Sequence, residues 1–383
     1  MTPPASAEVV VIGGGVVGTS IAFHLVEAGV APVVLLERAS LGAGSTSRAA
    51  GGVRAQFADE LNIELALRSL EAYERFGKRP GAEIDLRQVG YLFLLDDPDD
   101  VESFERSIAL QNAHGVPSRL LDPREATRLC PLLDAGGALA ASWCPTDGHA
   151  NPAAVVEGYA AAARALGAHL ELGCEVMAIE VEHEEIRSVS TSAGTIRTGT
   201  VVCAAGPWSA EAAALVDVEL PVEPSRREVR FTGALDSLPP RIPLTVDFSS
   251  GFYFHAEGPG LLFGMGHPEQ EPGFGAPLPA DWIERVTAVA ERRVPRLLEA
   301  EIAGGWSGYY EVTPDHNALL GEAERVERFL YATGFSGHGF LQAPAVGEVV
   351  RDLVLGRTPF ADVGPLASER FATAGPRPEH NVI

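Results

Sequence analysis

Three glycines and one carboxylate near the N-terminus carry the strongest chemical signal in the chain. Gly13, Gly15 and Gly18 stand at G-x-G-x-x-G spacing, directly after the apolar run Glu8-Val-Val-Val-Ile12. Gly13 permits a tight turn, Gly15 lets the backbone approach a pyrophosphate, and Gly18 lets a helix pack closely on a strand. Val16 and Val17 lie where the turn feeds a helix, whose free N–H groups and partial positive charge suit phosphate oxygens. Val33-Val-Leu-Leu-Glu37 follows as a second strand and ends in a carboxylate 19 positions beyond Gly18 (37 − 18). A carboxylate so placed can accept both hydroxyls of an adenosine ribose. Strand, turn, helix, strand and acid in register define a dinucleotide site. They do not separate NAD from FAD.

Other chemistry-bearing residues are scattered along the chain. The loop Gly42 to Arg54 carries Ser45, Thr46, Arg48 and Arg54, whose hydroxyls and guanidiniums suit anionic oxygens. Tyr253 and His255 alternate with Phe252 and Phe254, so a strand there turns one pair to a cavity and the other to the core. Arg226, Arg227 and Arg230 read as surface ion pairing at least as readily as a substrate contact. Cys130, Cys144, Cys174 and Cys203 show neither CxxC spacing nor paired histidines, so no metal site and no disulfide framework are expected. Lys78 is the only lysine, which nearly excludes lysine-based mechanisms.

The elements that must position these residues follow from periodicity. Helices are expected from about Thr19 to Ala28, Asp59 to Phe76, from a cap within Asp96–Asp100 to about His114, Ala153 to Leu166, within Pro279 to Ala300, and from Pro344 to Leu355. A four-stranded meander is expected over Ala168–Leu172, Glu175–Glu182, Ile186–Ser192 and Thr195–Arg197. Buried strands run into glycine turns at Thr200-Val-Val-Cys-Ala-Ala-Gly-Pro-Trp208 and Phe329-Leu-Tyr-Ala-Thr-Gly334, and Phe335 to Gln342 reads as a glycine-rich loop. The glycine–strand signals thus recur in three distant segments. This implies an α/β Rossmann-like domain from residues 1–82, 146–220 and 301–383, with an inserted antiparallel β-sheet substrate domain from 83–145 and 221–300.

Composition bounds the partners. With 46% hydrophobic and 21% charged residues the chain is an ordinary globular protein, and its net charge of −23 disfavours nucleic acid and anionic membranes. No apolar run approaches the roughly 18 residues of a membrane span. Met1-Thr-Pro-Pro-Ala-Ser-Ala7 has neither a basic region nor an apolar core, so a cytoplasmic location is expected, with a short lead into the first strand.

Four motifs in order along the chain resemble the FAD-dependent oxidoreductases of the D-amino-acid oxidase, glycine oxidase and sarcosine oxidase superfamily. They are Gly13-Gly-Gly-Val-Val-Gly18 with Glu37-Arg38; Gly44-Ser-Thr-Ser-Arg48 through Gln56-Phe57; Ala204-Ala-Gly-Pro-Trp208; and Thr313-Pro-Asp-His-Asn317 with Gly334-Phe-Ser-Gly-His-Gly-Phe340. The likeness points to the branch of sarcosine oxidase β-subunits and dye-linked proline dehydrogenases. It implies FAD held by the glycine turn, Glu37, Arg38, Ser45, Thr46 and Arg48, with a backbone contact to adenine at Val176. Ala205, Gly206 and Trp208 would line the adenosine half; Gly334, Gly337, His338, Gly339, Phe340 and Leu341 would face the flavin.

The resemblance also implies the reaction: hydride transfer from the carbon beside an amine to flavin N5, leaving an imine that water hydrolyses. The substrate would be a small amino or imino acid such as an N-methyl amino acid or proline. Departures from the family sharpen this. Gly308 stands where monomeric sarcosine oxidases attach FAD through cysteine, so FAD is expected to be non-covalent. Tyr310 replaces a carboxylate-binding arginine, which leaves Arg54 as first candidate for that role, with Tyr253, His255 and His338 as further catalytic candidates. Leu341 replaces a lysine over the flavin, which tilts the expectation from an H2O2-producing oxidase towards a dehydrogenase serving an acceptor protein or quinone. A flavin-bound assembly or electron-transfer scaffold without turnover is the alternative of another class.

Overall fold

The computed structural model describes residues 3–382; Met1 and Thr2 of the expected N-terminal lead lie outside them. One sheet has six strands in the order Leu319–Glu322, Phe329–Thr333, Val201–Cys203, Val9–Ile12, Val33–Glu37 and His169–Leu172. Only Leu319–Glu322 runs antiparallel to its neighbour. Strand alternation sorts the side chains. Val9, Val11, Val33 and Leu35 face a core shared with the helices Val16–Glu27, Glu60–Glu74, Pro152–Ala165 and Gly339–Val354. Val10, Ile12, Val34 and Leu36 face the other core, beneath the three-stranded antiparallel sheet of Val176–Glu182, Glu185–Thr191 and Gly194–Arg197. Both faces of the central strands are therefore apolar, as a covered parallel sheet requires.

The expected four-stranded meander is corrected here. His169–Leu172 leaves it to pair in parallel with Val33–Glu37, closing the edge of the large sheet. The expected loop through Gln342 is also shorter, because the last helix starts at Gly339, with Pro344 inside it. Proline has no N–H for the carbonyl of Phe340. Tyr73 Oη donates to that carbonyl instead at 2.5 Å, and Ser69 Oγ accepts the N–H of Ala345 at 3.1 Å. Two side chains of the Glu60–Glu74 helix thus absorb the break.

The second large sheet has eight strands, in the order Ile302–Val312, Glu223–Thr232, Gly260–Met265, Phe252–Glu257, Leu244–Asp247, Tyr91–Leu95, Ala140–Cys144 and Arg119–Leu121. Ile302–Val312 pairs with Glu223–Thr232 along nearly its whole length, so this sheet continues past the boundary expected at residue 300. Phe252 and Phe254 pack in a core with Trp282, Val286 and Ala290 of the helix Trp282–Arg293. Tyr253 and His255 occupy the opposite face, so alternation resolves which pair is core. No helix among the described residues is long and apolar enough to cross a membrane.

Candidate active site

The glycine turn is built by close approach. Gly13 has φ +114°, and a Cβ there would lie 2.3 Å from the carbonyl oxygen of Ala204; a Cβ on Gly18 would lie 2.0 Å from the oxygen of Gly13. No larger side chain could let the first helix sit on its strand, which is the packing role expected for Gly18. Thr46 Oγ1 accepts the N–H of Val16 at 3.1 Å, tying the second loop to the helix N-terminus. Glu37 accepts the N–H groups of Gly14 and Ala39, each at 2.8 Å. Arg38 lies 4.3 Å from the Trp208 ring centroid, and its Nη1 is 3.9 Å from Glu175. Ser45 Oγ donates to the carbonyl of Tyr309 at 2.6 Å, and Arg48 Nη1 to that of Ser307 at 2.9 Å. These two bonds staple the loop to the Ile302–Val312 strand.

One cavity of about 510 Å³ runs from Glu37, Arg38 and Val176 past the glycine turn, Ser45, Thr46, Arg48 and Ala205–Trp208. It continues to Gly337–Leu341, Arg54, Tyr91, Arg227, Tyr253 and Tyr310. Of the residues expected from sequence, only Gly18, Gly334 and His255 do not line it. Gly334 shapes the turn before the last helix, with φ +69°. His255 does not reach the site: its ring nitrogens meet the carbonyls of Ala256 at 2.9 Å and Ala50 at 3.1 Å, and it stacks on His149 at 4.4 Å. Burial holds its pKa below the usual histidine value.

The far end of the cavity is aromatic and cationic. Arg54 is buried against Phe57, 4.2 Å from its ring centroid, and donates to the carbonyls of Gln56 and Asn381. Its Nη2 also donates to His338 Nε2 at 3.1 Å. Burial, then the charges of Arg54 and His316, hold the His338 pKa well below its usual value, so the ring is neutral and its lone pair is engaged. Burial likewise raises the hydroxyl pKa values of Tyr91, Tyr253 and Tyr310, which stay protonated.

The sequence between Glu8 and Leu353 matches the family described as FAD dependent oxidoreductase (DAO). The chain belongs to this family. A solved structure of L-proline dehydrogenase from P. horikoshii is similar to it, with a TM-score of 0.92 and 36% identity over 98% of this chain and 100% of that one. Glycine oxidase from Geobacillus kaustophilus gives a TM-score of 0.84 and 27% identity, over 95% and 98% of the two chains. Mitochondrial dimethylglycine dehydrogenase from Mus musculus is 30% identical over 385 residues, covering 95% of this chain and 44% of that protein. The chain thus spans less than half the length of that relative.

FAD is the cofactor of the family, and the cavity fits it. The glycine turn is a cradle that any Cβ would fill, and a helix N-terminus opens at each of two places along the cavity, after Gly15 and after His338. Glu37 would hold the adenosine end, and the first turn of the Gly339–Val354 helix the flavin end. Gly308 bears on attachment: a Cβ there would lie 2.9 Å from Cβ of Arg48, so no cysteine fits without displacing the staple.

Sequence reasoning left Arg227 undecided within its cluster and missed Glu311 and the C-terminal segment. Arg227 turns into the cavity while its neighbours Arg226 and Arg230 both pair with Glu228 on the other face. Strand alternation carried that signal. Glu311 lines the cavity as a buried carboxylate, its pKa raised to about 7 by burial, against hydrogen bonds from Thr333, Gly334 and Phe335. The C-terminal segment closes over Arg54: Glu379 accepts the N–H groups of Ala58 and Asp59, and Asn381 accepts from Arg54 at 2.6 Å. No local pattern announces a contact between residues this far apart in the chain.

Proposed function

We propose that the chain oxidises the C–N bond of a small amino or imino acid, such as an N-methyl amino acid or proline, and passes the electrons to an acceptor other than O2. The observation that carries this reading is Arg54, a buried guanidinium that makes no salt bridge among the described residues, set beside the flavin loop in an aromatic cavity. Three of its five N–H donors are engaged, which leaves Nε–H and one Nη1–H (5 − 3), on different edges of the guanidinium, for single hydrogen bonds to a substrate carboxylate. Structural and sequence relatives named as proline, dimethylglycine and glycine oxidoreductases support the same class.

FAD, when bound, supplies the two-electron acceptor. The chain supplies position and dryness. Arg54 fixes one end of the substrate, while Tyr91, Tyr253, Tyr310 and Leu341 exclude water around the reacting carbon. His338 cannot take the amine proton while its Nε2 accepts from Arg54, so the substrate must react as its free amine. Activity should then rise with pH towards the pKa of the substrate amine. We also assign non-covalent FAD, since Gly308 offers no attachment atom.

The decisive experiment is anaerobic mixing of flavin-loaded protein with N-methyl amino acids, proline and D-amino acids, followed by O2. Bleaching supports C–N oxidation, and its absence across the panel favours the scaffold reading. Slow reoxidation supports a dehydrogenase, whereas reoxidation as fast as turnover refutes it. One observation favours the H2O2-producing oxidase: Arg227 places a second cation at the cavity, where a positive charge assists electron transfer to O2.

A further inference from the structure

Arg227 is a cation in the cavity with three of its five donors unused. On the strand Glu223–Thr232, Arg226 and Arg230 bind Glu228 at 2.7 and 3.0 Å, on the face away from the cavity. Arg227 projects to the other side and lines the cavity. Its Nη1 donates to Ser225 Oγ at 2.7 Å and to the carbonyl of Arg226 at 3.0 Å, which fixes the head group. Its Nε is buried and has no partner, and Nη2 makes no hydrogen bond among the described residues. The unpaired Nε–Nη2 edge is the side on which a guanidinium grips a carboxylate through two parallel N–H···O bonds. The Tyr310 ring, 4.8 Å from Cζ, steadies the plane.

Arg54 enters the same cavity from the loop Gly42 to Arg54, and both guanidiniums act on Tyr310. The partners of Arg54 are Gln56, Asn381, His338 and Phe57, and it shares none of them with Arg227. Neither guanidinium makes a salt bridge among the described residues, although the charge of Arg54 acts on the buried Asp147. Two like charges facing one low-dielectric cavity repel, and each is costly to leave without an anion. A monocarboxylate held at Arg54 would leave the free edge of Arg227 for a second anion.

We propose that the substrate is a dicarboxylate: an amino acid whose α-carboxylate is held at Arg54 and whose second carboxylate, on the nitrogen substituent or side chain, is gripped by the free edge of Arg227. This rests on the C–N oxidation proposed above and moves its substrate from proline and sarcosine to amino acids that carry a second carboxylate. The second anion neutralises the second cation, and the two anchors fix the carbon between them better than one anchor could.

The test compares two non-oxidisable ligands that differ by one carboxylate, thiodiacetate and (methylthio)acetate, by their perturbation of the flavin spectrum in flavin-loaded protein. Thiodiacetate should bind about 10- to 100-fold tighter, the worth of one charge-assisted hydrogen-bonded contact. Arg227→Gln should bring that ratio to about one without weakening (methylthio)acetate, and Arg227→Lys, which keeps the charge but loses the fork, should fall between. A wild-type ratio of one overturns the proposal, as does a Gln variant that weakens both ligands equally or shifts the flavin potential with the ratio intact. Should the variants lose flavin, the wild-type ratio decides alone. Anaerobic bleaching separates the two readings. If sarcosine and proline bleach the flavin as efficiently as N-(carboxymethyl) amino acids, the dicarboxylate proposal fails and C–N oxidation stands. If no amine bleaches it, C–N oxidation itself fails.

Discussion

Asp147→Asn should make the thermal stability of this protein less dependent on pH, by an amount the structure fixes. Asp147 is buried behind Arg54, where Oδ1 accepts the N–H of Ala55 at 3.1 Å and Oδ2 accepts Gln56 Nε2 at 3.2 Å. Gln56 in turn accepts from Ser142 at 2.7 Å, so its orientation is set. Burial raises the Asp147 pKa from 3.8 to about 6, against the hydrogen bonds from Ala55 and Gln56 and the charge of Arg54. Because the folded value is the higher one, the native state holds the proton more tightly. Its stabilising contribution is complete below pH 3.8 and is lost as pH rises through about 6. The whole difference amounts to about 3 kcal/mol, of which about 2 kcal/mol falls between about pH 4.5 and 7.5. With an unfolding entropy of about 2 cal/mol/K per residue, that is a shift of about 2–3 °C for a chain of this length. Asparagine does not titrate, but its Nδ2 would face Gln56 Nε2, donor to donor, at a pH-independent cost of about 1–3 kcal/mol. The informative quantity is therefore the wild-type advantage in Tm across that pH range, measured by calorimetry. It should shrink by about 2–3 °C from acid to neutral pH. An advantage that stays constant, or grows with pH, would show that the carboxyl is not raised and would sink the reasoning.

Other perturbations read other parts of the site. Glu311, with its pKa raised to about 7 by burial, adds a negative charge to the dinucleotide cavity as pH rises. Flavin retention should therefore weaken by about 10-fold, or about 1.4 kcal/mol, from about pH 6 to 8 in the wild type and stay flat in Glu311→Gln, as equilibrium dialysis would show. Gly337→Ala puts a Cβ 2.6 Å from the Tyr310 ring at φ +99°, so it should cost about 1–3 kcal/mol and lower flavin content in the purified protein. Asp315→Ala strands the buried Arg370, which now donates to both carboxylate oxygens at 2.8 Å, and should cost about 3–5 kcal/mol in denaturant unfolding. Arg54→Ala should raise the Kd of (methylthio)acetate at least about 10-fold in flavin-perturbation titrations, and an unchanged Kd would remove it from the carboxylate role.

Local chemistry makes the dinucleotide half legible in the sequence. Gly13, Gly15, Gly18 and Glu37 announce themselves because a turn, a helix and a strand are specified by neighbours along the chain, and the cavity wall contains three of the four. The substrate half is harder to read. Arg54 can be named from its loop, but its anchorage by Asn381 joins residues 327 apart, which no periodicity encodes. The start of the last helix is hidden by Pro344, whose missing N–H is compensated by Tyr73 and Ser69 from another helix. His255 misleads because alternation correctly pairs it with Tyr253, while depth along the strand, which alternation does not measure, takes it beyond the cavity.

Arg227 marks where sequence could have gone further. In Arg226-Arg227-Glu228-Val229-Arg230 the only acid sits at an even position with two of the three arginines, so period two already separates a paired set from a lone cation. What the sequence could not supply was which face meets the cavity. That is set by register: Arg227 lies opposite Gly308 and Ser225 opposite Tyr310 on the strand Ile302–Val312. A slip of one residue would exchange the faces and turn Arg226, Glu228 and Arg230 inward, giving a cavity wall of balanced ion pairs. The cationic character of the proposed substrate end is thus a property of strand pairing as much as of composition. Any variant that disturbs the Ser45 and Arg48 staples to Tyr309 and Ser307 acts on it at a distance.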